Sequence, residues 1–441
     1  MFIRTTLSRV LCFVFYAGLT HAGQVSPCNG QYGWVTLWGA MPQLTETSNL
    51  PPPPFVRSSS GCNVADTRLT QYPQNTPGLV FQNSTIRQTI KVSLDADLIR
   101  LQITNVFGGS DLPITAVTVA YPDTQAAGTS AIQTESLQTL TFSGTESFII
   151  PNGAAIISDP VPLSVSAESI LSISIYLATG QTTNSITSHP GSRTTSYFIS
   201  DNHINDEDFE GASADHWYFI SSLEGRVSVN SSAIAFVGDS ITDGRGSTTN
   251  GNDRWPDQLL TRLQTSAATD SVSIVNVAAG GNRILADGLG PNALGRIDRD
   301  VISQAGVRFA VVLEGINDIG TAPTTEDAQR IIGDRVIQAY EQMIIRLHRH
   351  NIKVYGGTLT PMTGPDQAYG HPTREVTRQR LNEWIRTSGK FDAVIDFDAA
   401  VRDPDQPERL LTEYDTGDHL HLNPAGYAAM AAAVDLELFE L

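Results

Sequence analysis

Ser240 sits where a serine can do chemistry, at the end of an apolar run in Ser232-Ala-Ile-Ala-Phe-Val-Gly-Asp-Ser-Ile-Thr-Asp-Gly244. A serine hydroxyl is a weak nucleophile until a base takes its proton. His421, in Asp418-His-Leu-His421, is the best candidate base, since an imidazole with a pKa of about 6.5 can accept and return a proton near neutrality. Asp418 can fix the tautomer of that ring and stabilise its charged form. His419 is the rival base, but an extended loop would point it and Asp418 to opposite sides. Acyl transfer also needs donors aimed at the oxygen of its tetrahedral intermediate. Three are available: the Ser240 N–H, the N–H of Gly281 in Asn276-Val-Ala-Ala-Gly-Gly281, and the amide of Asn317 in Gly315-Ile-Asn-Asp318. Each piece has a plainer reading. Asp239 or Asp243 could make the Ser240 turn an ordinary cap, and the histidines could form a solvated loop. Asn-Asp pairs are common in turns, and Asp318 reads as a cap for the helix that follows.

These residues need elements to hold them. Short buried-type runs recur at 233–237, 272–277, 309–313, 354–358 and 393–395. Helical patterns at 256–263, 327–348 and 373–388 separate them, the last ending at Gly389, and Pro424 opens a final helix. Strands alternating with helices predict a parallel α/β sheet. Ligand sites in such sheets lie beyond the carboxyl ends of the strands, where the Ser240, Gly281 and Asn317 pieces fall. From about residue 80 to 230 the period is two, as in 99–106 and 171–177. That alternation predicts antiparallel strands buried on one face, arranged as a β-sandwich or jelly roll. The expected organisation is a leader over 1–22, a β-rich domain over 23–230 and a catalytic domain over 231–441.

The chain has 441 residues and a formal net charge of −18. That balance argues against nucleic acid and anionic membrane surfaces as partners, which require basic patches. Arg4 and Arg9 precede an apolar stretch at 10–19, and Thr20-His-Ala22 suits cleavage. The stretch is too short to span a bilayer and reads as a secretory signal, so a secreted, extracellular protein without a membrane anchor is expected. Cys12 leaves with the leader, and the remaining pair, Cys28 and Cys62, is most simply one disulfide. Two cysteines without paired histidines make no zinc site. Asn83 and Asn230 open glycosylation sequons. Trp255 in Arg254-Trp-Pro256 either lines the pocket or packs on the first helix. His189 and Arg193, in Ser188-His-Pro-Gly-Ser-Arg193, read as a turn, with reach into the site as the alternative. Pro51 to Pro54 reads as a stiff extended segment.

With four blocks laid out in order, the chain resembles the SGNH hydrolases, also called the GDSL-type esterase/lipase family. Gly238-Asp-Ser240 matches the first block and Asn276 to Gly281 the second. Gly315-Ile-Asn-Asp318 matches the third, and Asp418 with His421 the last. The resemblance implies a three-layer α/β/α, flavodoxin-like domain, Ser240 as nucleophile, and Gly281 and Asn317 as oxyanion donors, with no metal or organic cofactor. Ala278 stands where many members have Gly, and the pair Gly280-Gly281 leaves two candidates for the backbone donor. The N-terminal half, through residues 34–43, Thr85-Ile-Arg-Gln88 and Asn105-Val-Phe-Gly108, is similar to two-domain secreted members described as arylesterases and acylhydrolases, some linked to xylan-degrading systems. The expected protein is a monomeric esterase removing short acyl groups, acetyl foremost, from carbohydrate or aryl esters such as an acetylated polysaccharide or oligosaccharide. The polar loop at 244–253 suits a hydroxyl-bearing alcohol. The alternatives are a lipase for longer acyl chains and a carbohydrate-binding protein with a silent hydrolase fold.

Overall fold

A computed structural model describes residues 31–58 and 75–440. The expected leader and the pair Cys28 and Cys62 lie outside the described residues. Strands from Tyr32–Gly39 to Ile220–Ser228 pair antiparallel. Their main sheets have six strands, built around Ser84–Lys91 and Ile170–Leu177, and four strands, built around Ile220–Ser228 and Ile99–Thr104. The arrangement is compatible with a β-sandwich.

The two-residue period has a different cause from the one the sequence suggests. Along the central strands of the six-stranded sheet the alternate polar residues do not face water: Arg87, Thr89, Thr118, Ser172 and Ser174 are all buried. Loops cover this second face. The Arg87 guanidinium donates to the carbonyls of Ser130, His203 and Asp206 and lies 4.6 Å from the Phe209 ring centre. Burial lowers its pKa to about 10, although Asp206 and Asp208 pull upward. Alternation thus records an apolar core on one face and a hydrogen-bonded loop layer on the other. Pro53 and Pro54 sit in a turn closed by Phe55 N–H to the Pro52 carbonyl at 3.0 Å, rather than in an extended segment.

From Ser232 the pairing becomes parallel. Five strands, Ser232–Gly238, Val272–Asn276, Val307–Leu313, Lys353–Gly357 and Ala393–Ile395, form one sheet in which the first strand lies between the second and the third. That reversal is a topological switch point, where open α/β sheets bind ligands. One helical layer holds Trp255–Gln264, Phe397–Val401 and Pro424–Ala432; the other holds Ala293–Ile297, Glu326–His348 and Pro372–Thr387. Trp255 is fully buried against Phe236 and Phe397, with ring centres 4.8 and 5.0 Å away. It belongs to the core and does not line the site.

The two halves share an interface. Strand Tyr32–Gly39 lies against Val272–Asn276, the edge strand of the parallel sheet. Ser273 Oγ donates to the Thr36 carbonyl at 2.7 Å, and Thr36 N–H donates to the Ala305 carbonyl at 2.9 Å. Gly39 is required there, because a Cβ would come within 2.5 Å of Val275. Among the described residues no helix is long and apolar enough to cross a membrane.

Candidate active site

Ser240 opens a four-residue helix, Ser240–Asp243, directly after the first parallel strand. The Asp239 carboxylate caps it by accepting the Ile241 N–H at 3.0 Å. Burial, aided by the nearby Asp318 and Asp243, pushes Asp239 up to about 7 against the pull of that N–H. Gly244 ends the turn at φ 95°, a left-handed conformation suited to glycine. The turn is therefore capped and also presents a serine.

Ser240 Oγ lies 2.8 Å from His421 Nε2, and His421 Nδ1 lies 2.6 Å from Asp418 Oδ2. With Nδ1–H given to the carboxylate, Nε2 is left to accept the serine hydroxyl. The other Asp418 oxygen accepts the N–H groups of Leu420 and His421 at 3.0 and 2.8 Å. Burial would raise the Asp418 pKa, but these bonds and the His421 charge outweigh it and hold the group at about 2. Burial lowers the His421 pKa; Asp418 opposes that shift, whereas Arg245 and Arg193 reinforce it. His419 turns away at φ 59° and its Nδ1 meets Asp415 at 2.6 Å.

Three donors surround the serine. Gly280 N–H is already given to Asp243 Oδ2 at 2.8 Å. Gly281, at φ 71°, and Ser240 have backbone N–H groups with no acceptor among the described residues. This separates the two glycines: Gly281 has the free amide. Asn317 is buried and oriented from both ends. Its Nδ2 donates to the Asn282 carbonyl at 2.9 Å, and its Oδ1 accepts the Tyr369 hydroxyl at 3.0 Å. One Nδ2–H remains for a ligand.

Residues 236–429 match the GDSL-like lipase/acylhydrolase family model. The chain carries a GDSL-like lipase/acylhydrolase domain. It is a carboxylic ester hydrolase. Similar solved structures include an acetylxylan esterase from Geobacillus stearothermophilus, with 19% identity, TM-score 0.36, and coverage of 48% of this chain and 96% of that one. A GDSL-like lipase from Bacteroides thetaiotaomicron has 20% identity, TM-score 0.32, and coverage of 46% and 84%. No curated protein matches the chain.

The GDSL-like domain does not complete its site alone. Ser240, Asn317 and His421 open onto a cleft of about 470 Å³ whose other wall includes Gln43, Glu46, Pro190 and Arg193. His189 reaches across, though not to the serine: its Nε2 meets Asp243 Oδ1 at 2.9 Å and its Nδ1 meets the Met41 carbonyl at 3.0 Å. The Pro190-Gly191 turn exists, so the turn reading and the reach into the site both hold. A Cβ on Gly191 would strike Asp243.

Asp318 corrects its sequence reading. Gly315 is the N-cap of helix Ile316–Thr321, and Asp318 instead accepts Ile284 N–H at 2.8 Å and Leu285 N–H at 3.0 Å. It ties the loop beyond Gly281 to the Asn317 helix. The sequence also gave no hint of Tyr369, which lies in an irregular loop far from every block, or of the Asp243 bridge. Asn83 and Asn230 are both exposed, and the Asn83 amide donates to Asp201 at 2.6 Å.

Proposed function

We propose that the protein hydrolyses short-chain carboxylic esters of a carbohydrate or aryl alcohol through an acyl-enzyme. The observation that carries the reading is the Ser240 Oγ to His421 Nε2 contact of 2.8 Å with Asp418 behind the ring. In the first step Ser240 Oγ attacks the ester carbonyl carbon and its proton passes to His421 Nε2. Ser240 N–H, Gly281 N–H and the Asn317 amide donate to the developing oxyanion. Collapse breaks the C–O bond, and His421 returns the proton to the departing alcohol. Water then attacks the acyl-enzyme, His421 takes its proton, and the acid leaves as Ser240 regains its hydrogen. Asp418 orients the ring and stabilises its cationic form.

Short acyl groups are supported by the cleft, in whose lining Leu289 and Leu420 are the large aliphatic side chains. A buried methylene contributes about 0.8 kcal/mol, so an extended acyl groove would make kcat/KM climb steeply with chain length. We expect Ser240→Ala to abolish hydrolysis of nitrophenyl acetate while leaving the unfolding temperature near that of the wild type. For acetyl, butyryl, octanoyl and palmitoyl esters of one alcohol, kcat/KM should decline beyond butyryl. Substantial turnover by Ser240→Ala would overturn the serine mechanism, and a maximum at octanoyl or longer would replace it with a lipase. We also propose that residues 1–22 direct export of a monomer and are removed, and that Cys28 and Cys62 form a disulfide. Intact mass of the secreted protein with and without reductant tests this.

A further inference from the structure

We propose that the cleft is built for a substrate carrying a carboxylate near the scissile ester, held by Arg193 and Arg245. The inference rests on the esterase reading above and specifies its substrate. Both arginines line the same cleft as Ser240 and His421. Among the described residues neither guanidinium has an ion pair or a hydrogen-bond acceptor, and Arg193 Nε is buried without a partner. For the exposed Arg245 this is ordinary, but a buried, unpartnered Arg193 Nε is unexpected in a chain where 46 Asp and Glu outnumber 28 Lys and Arg. Other buried guanidiniums have acceptors: Arg296 has Asp300, Arg378 has Asp398, and Arg87 has backbone carbonyls.

The carboxylates in and beside the cleft already accept hydrogen bonds from other groups. Asp243 is held by His189 and Gly280 N–H. Glu46 accepts from Gln43 Nε2 at 3.0 Å and Asn49 Nδ2 at 2.9 Å. Asp418 is held by His421. Two cations that contact no carboxylate therefore share the cleft with the serine, and the one carboxylate on its far wall, Glu46, is turned to the neutral amides of Gln43 and Asn49.

Arg193 is also presented by a constrained backbone. Its φ is 51°, in the left-handed region that non-glycine residues rarely adopt. The loop is clamped on both sides of it. Asn250 N–H donates to the Arg193 carbonyl at 2.8 Å, and Asn250 Oδ1 accepts Thr195 N–H at 2.8 Å. The Arg254 guanidinium donates to the Ser192 carbonyl. A planar guanidinium carried on this clamped backbone suits a carboxylate, which it can bind through two parallel hydrogen bonds. The carboxylate can lie on the alcohol, as in an O-acylated uronic acid, or on the acyl group, as in a dicarboxylic half-ester.

Binding of hydrolysis-proof ligands to the full secreted protein tests this apart from turnover. The pair 3-hydroxybenzoate and 3-hydroxybenzamide probes the alcohol side, and succinate with succinamate probes the acyl side. Within at least one pair the carboxylate should bind about tenfold tighter at low ionic strength, the usual scale for a charge-assisted contact, and salt should erode the preference. The responding pair identifies the side. R193Q and R245Q should each reduce the ratio, and the double variant should bring it close to one. Each ratio is internal to one protein sample, so incomplete folding cancels. Equal affinity within both pairs, or a preference that survives in the double variant, would overturn the proposal. If the arginines act only by repelling protons from His421, ratios stay unchanged while the acid limb of the pH profile moves, and the proposal again fails. Failure of the esterase reading shows separately, as turnover by Ser240→Ala.

Discussion

His189→Ala tests how far catalysis depends on the antiparallel half. His189 and Asp243 are 4% and 2% exposed. The ring stacks on Trp217 with centres 5.8 Å apart. Both ring nitrogens face oxygen, Asp243 Oδ1 at 2.9 Å and the Met41 carbonyl at 3.0 Å. Truncation leaves the buried Asp243 carboxylate with Gly280 N–H as its remaining donor of these two. A hydrogen bond to a charged group contributes roughly 1.5–3 kcal/mol, and stranding a buried charge costs more than the bond itself. A neighbouring cavity of about 30 Å³ beside His189 and Asp243 can admit a water to soften the loss, so a destabilisation of about 2 kcal/mol is expected. With an unfolding entropy of ~2 cal/mol/K per residue over roughly 400 residues, cooperative unfolding would shift Tm downward by ~2–3 °C. Asp243 also anchors the residue next to Gly281, so kcat for a short nitrophenyl ester should fall by about tenfold, or ~1.4 kcal/mol of transition-state stabilisation. KM should change less, because neither group donates to the substrate. Asp243→Asn combined with His189→Ala should cost less than the sum of the single changes, since the stranded charge is gone. An unchanged Tm together with an unchanged kcat in His189→Ala would refute the reasoning.

Asn317→Ala should lower kcat by about 10²–10³-fold, the usual loss of an oxyanion donor. Tyr369→Phe removes one neutral hydrogen bond of ~1 kcal/mol that orients the same amide, so kcat should fall by only about fivefold; a larger loss than in Asn317→Ala would reverse that order of roles. In pH profiles of kcat/KM, neutral His421 is the active form, and its pKa is lowered below 6.5 by burial. Activity should hold down to that lowered pKa and fall below it, whereas an acid limb above pH 6.5 would contradict the shift. Residues 231–441 expressed alone should aggregate, because strand Val272–Asn276 loses the cover of Tyr32–Gly39 and exposes an edge; a monodisperse, fully active fragment would contradict that.

The legible and the hidden parts of this molecule divide by range. The five parallel strands and their helices were readable because each is a local pattern with local punctuation. Gly389, at φ 63°, ends its helix where the sequence puts a stop, and Pro424 stands at the first turn of the last helix. Ser240, Gly281, Asn317 and His421 were readable because each follows a recognisable strand or sits in a short block. The sequence already favours His421 over His419 and Gly281 over Gly280, and the structure adds the physical reason in each case. Gly281 differs from Gly280 only because Asp243 takes the latter's N–H. His421 differs from His419 because Asp418 holds the former and Asp415 binds the latter. The two-residue period at 171–177 marks a strand, but it does not show that both faces of that strand are covered. Nothing local records that Arg87 pins loops across the polar face.

The least legible feature is the wall supplied by the antiparallel half. His189 lies 54 residues from Asp243, and its neighbours Pro190 and Gly191 carry the signature of an ordinary turn. A turn is the right local description, yet a turn specifies no destination. What places it is the docking of strand Tyr32–Gly39 along the parallel sheet, which involves hydroxyl-to-carbonyl bonds such as Ser273 to Thr36 and a glycine that lets Val275 approach. These are single atoms without periodicity, so no window of sequence reveals them. The visible clue was chemical: a histidine and an arginine spaced four apart, at His189 and Arg193, in a chain poor in basic residues. The structure separates their parts. His189 braces the turn that carries Ser240 by holding Asp243, while Arg193, from the same loop, faces the cleft. A half that both braces the nucleophile turn and supplies a cleft-facing cation is coupled to the site through structure and through recognition. Its removal should therefore change which esters are chosen as well as how fast they are cleaved.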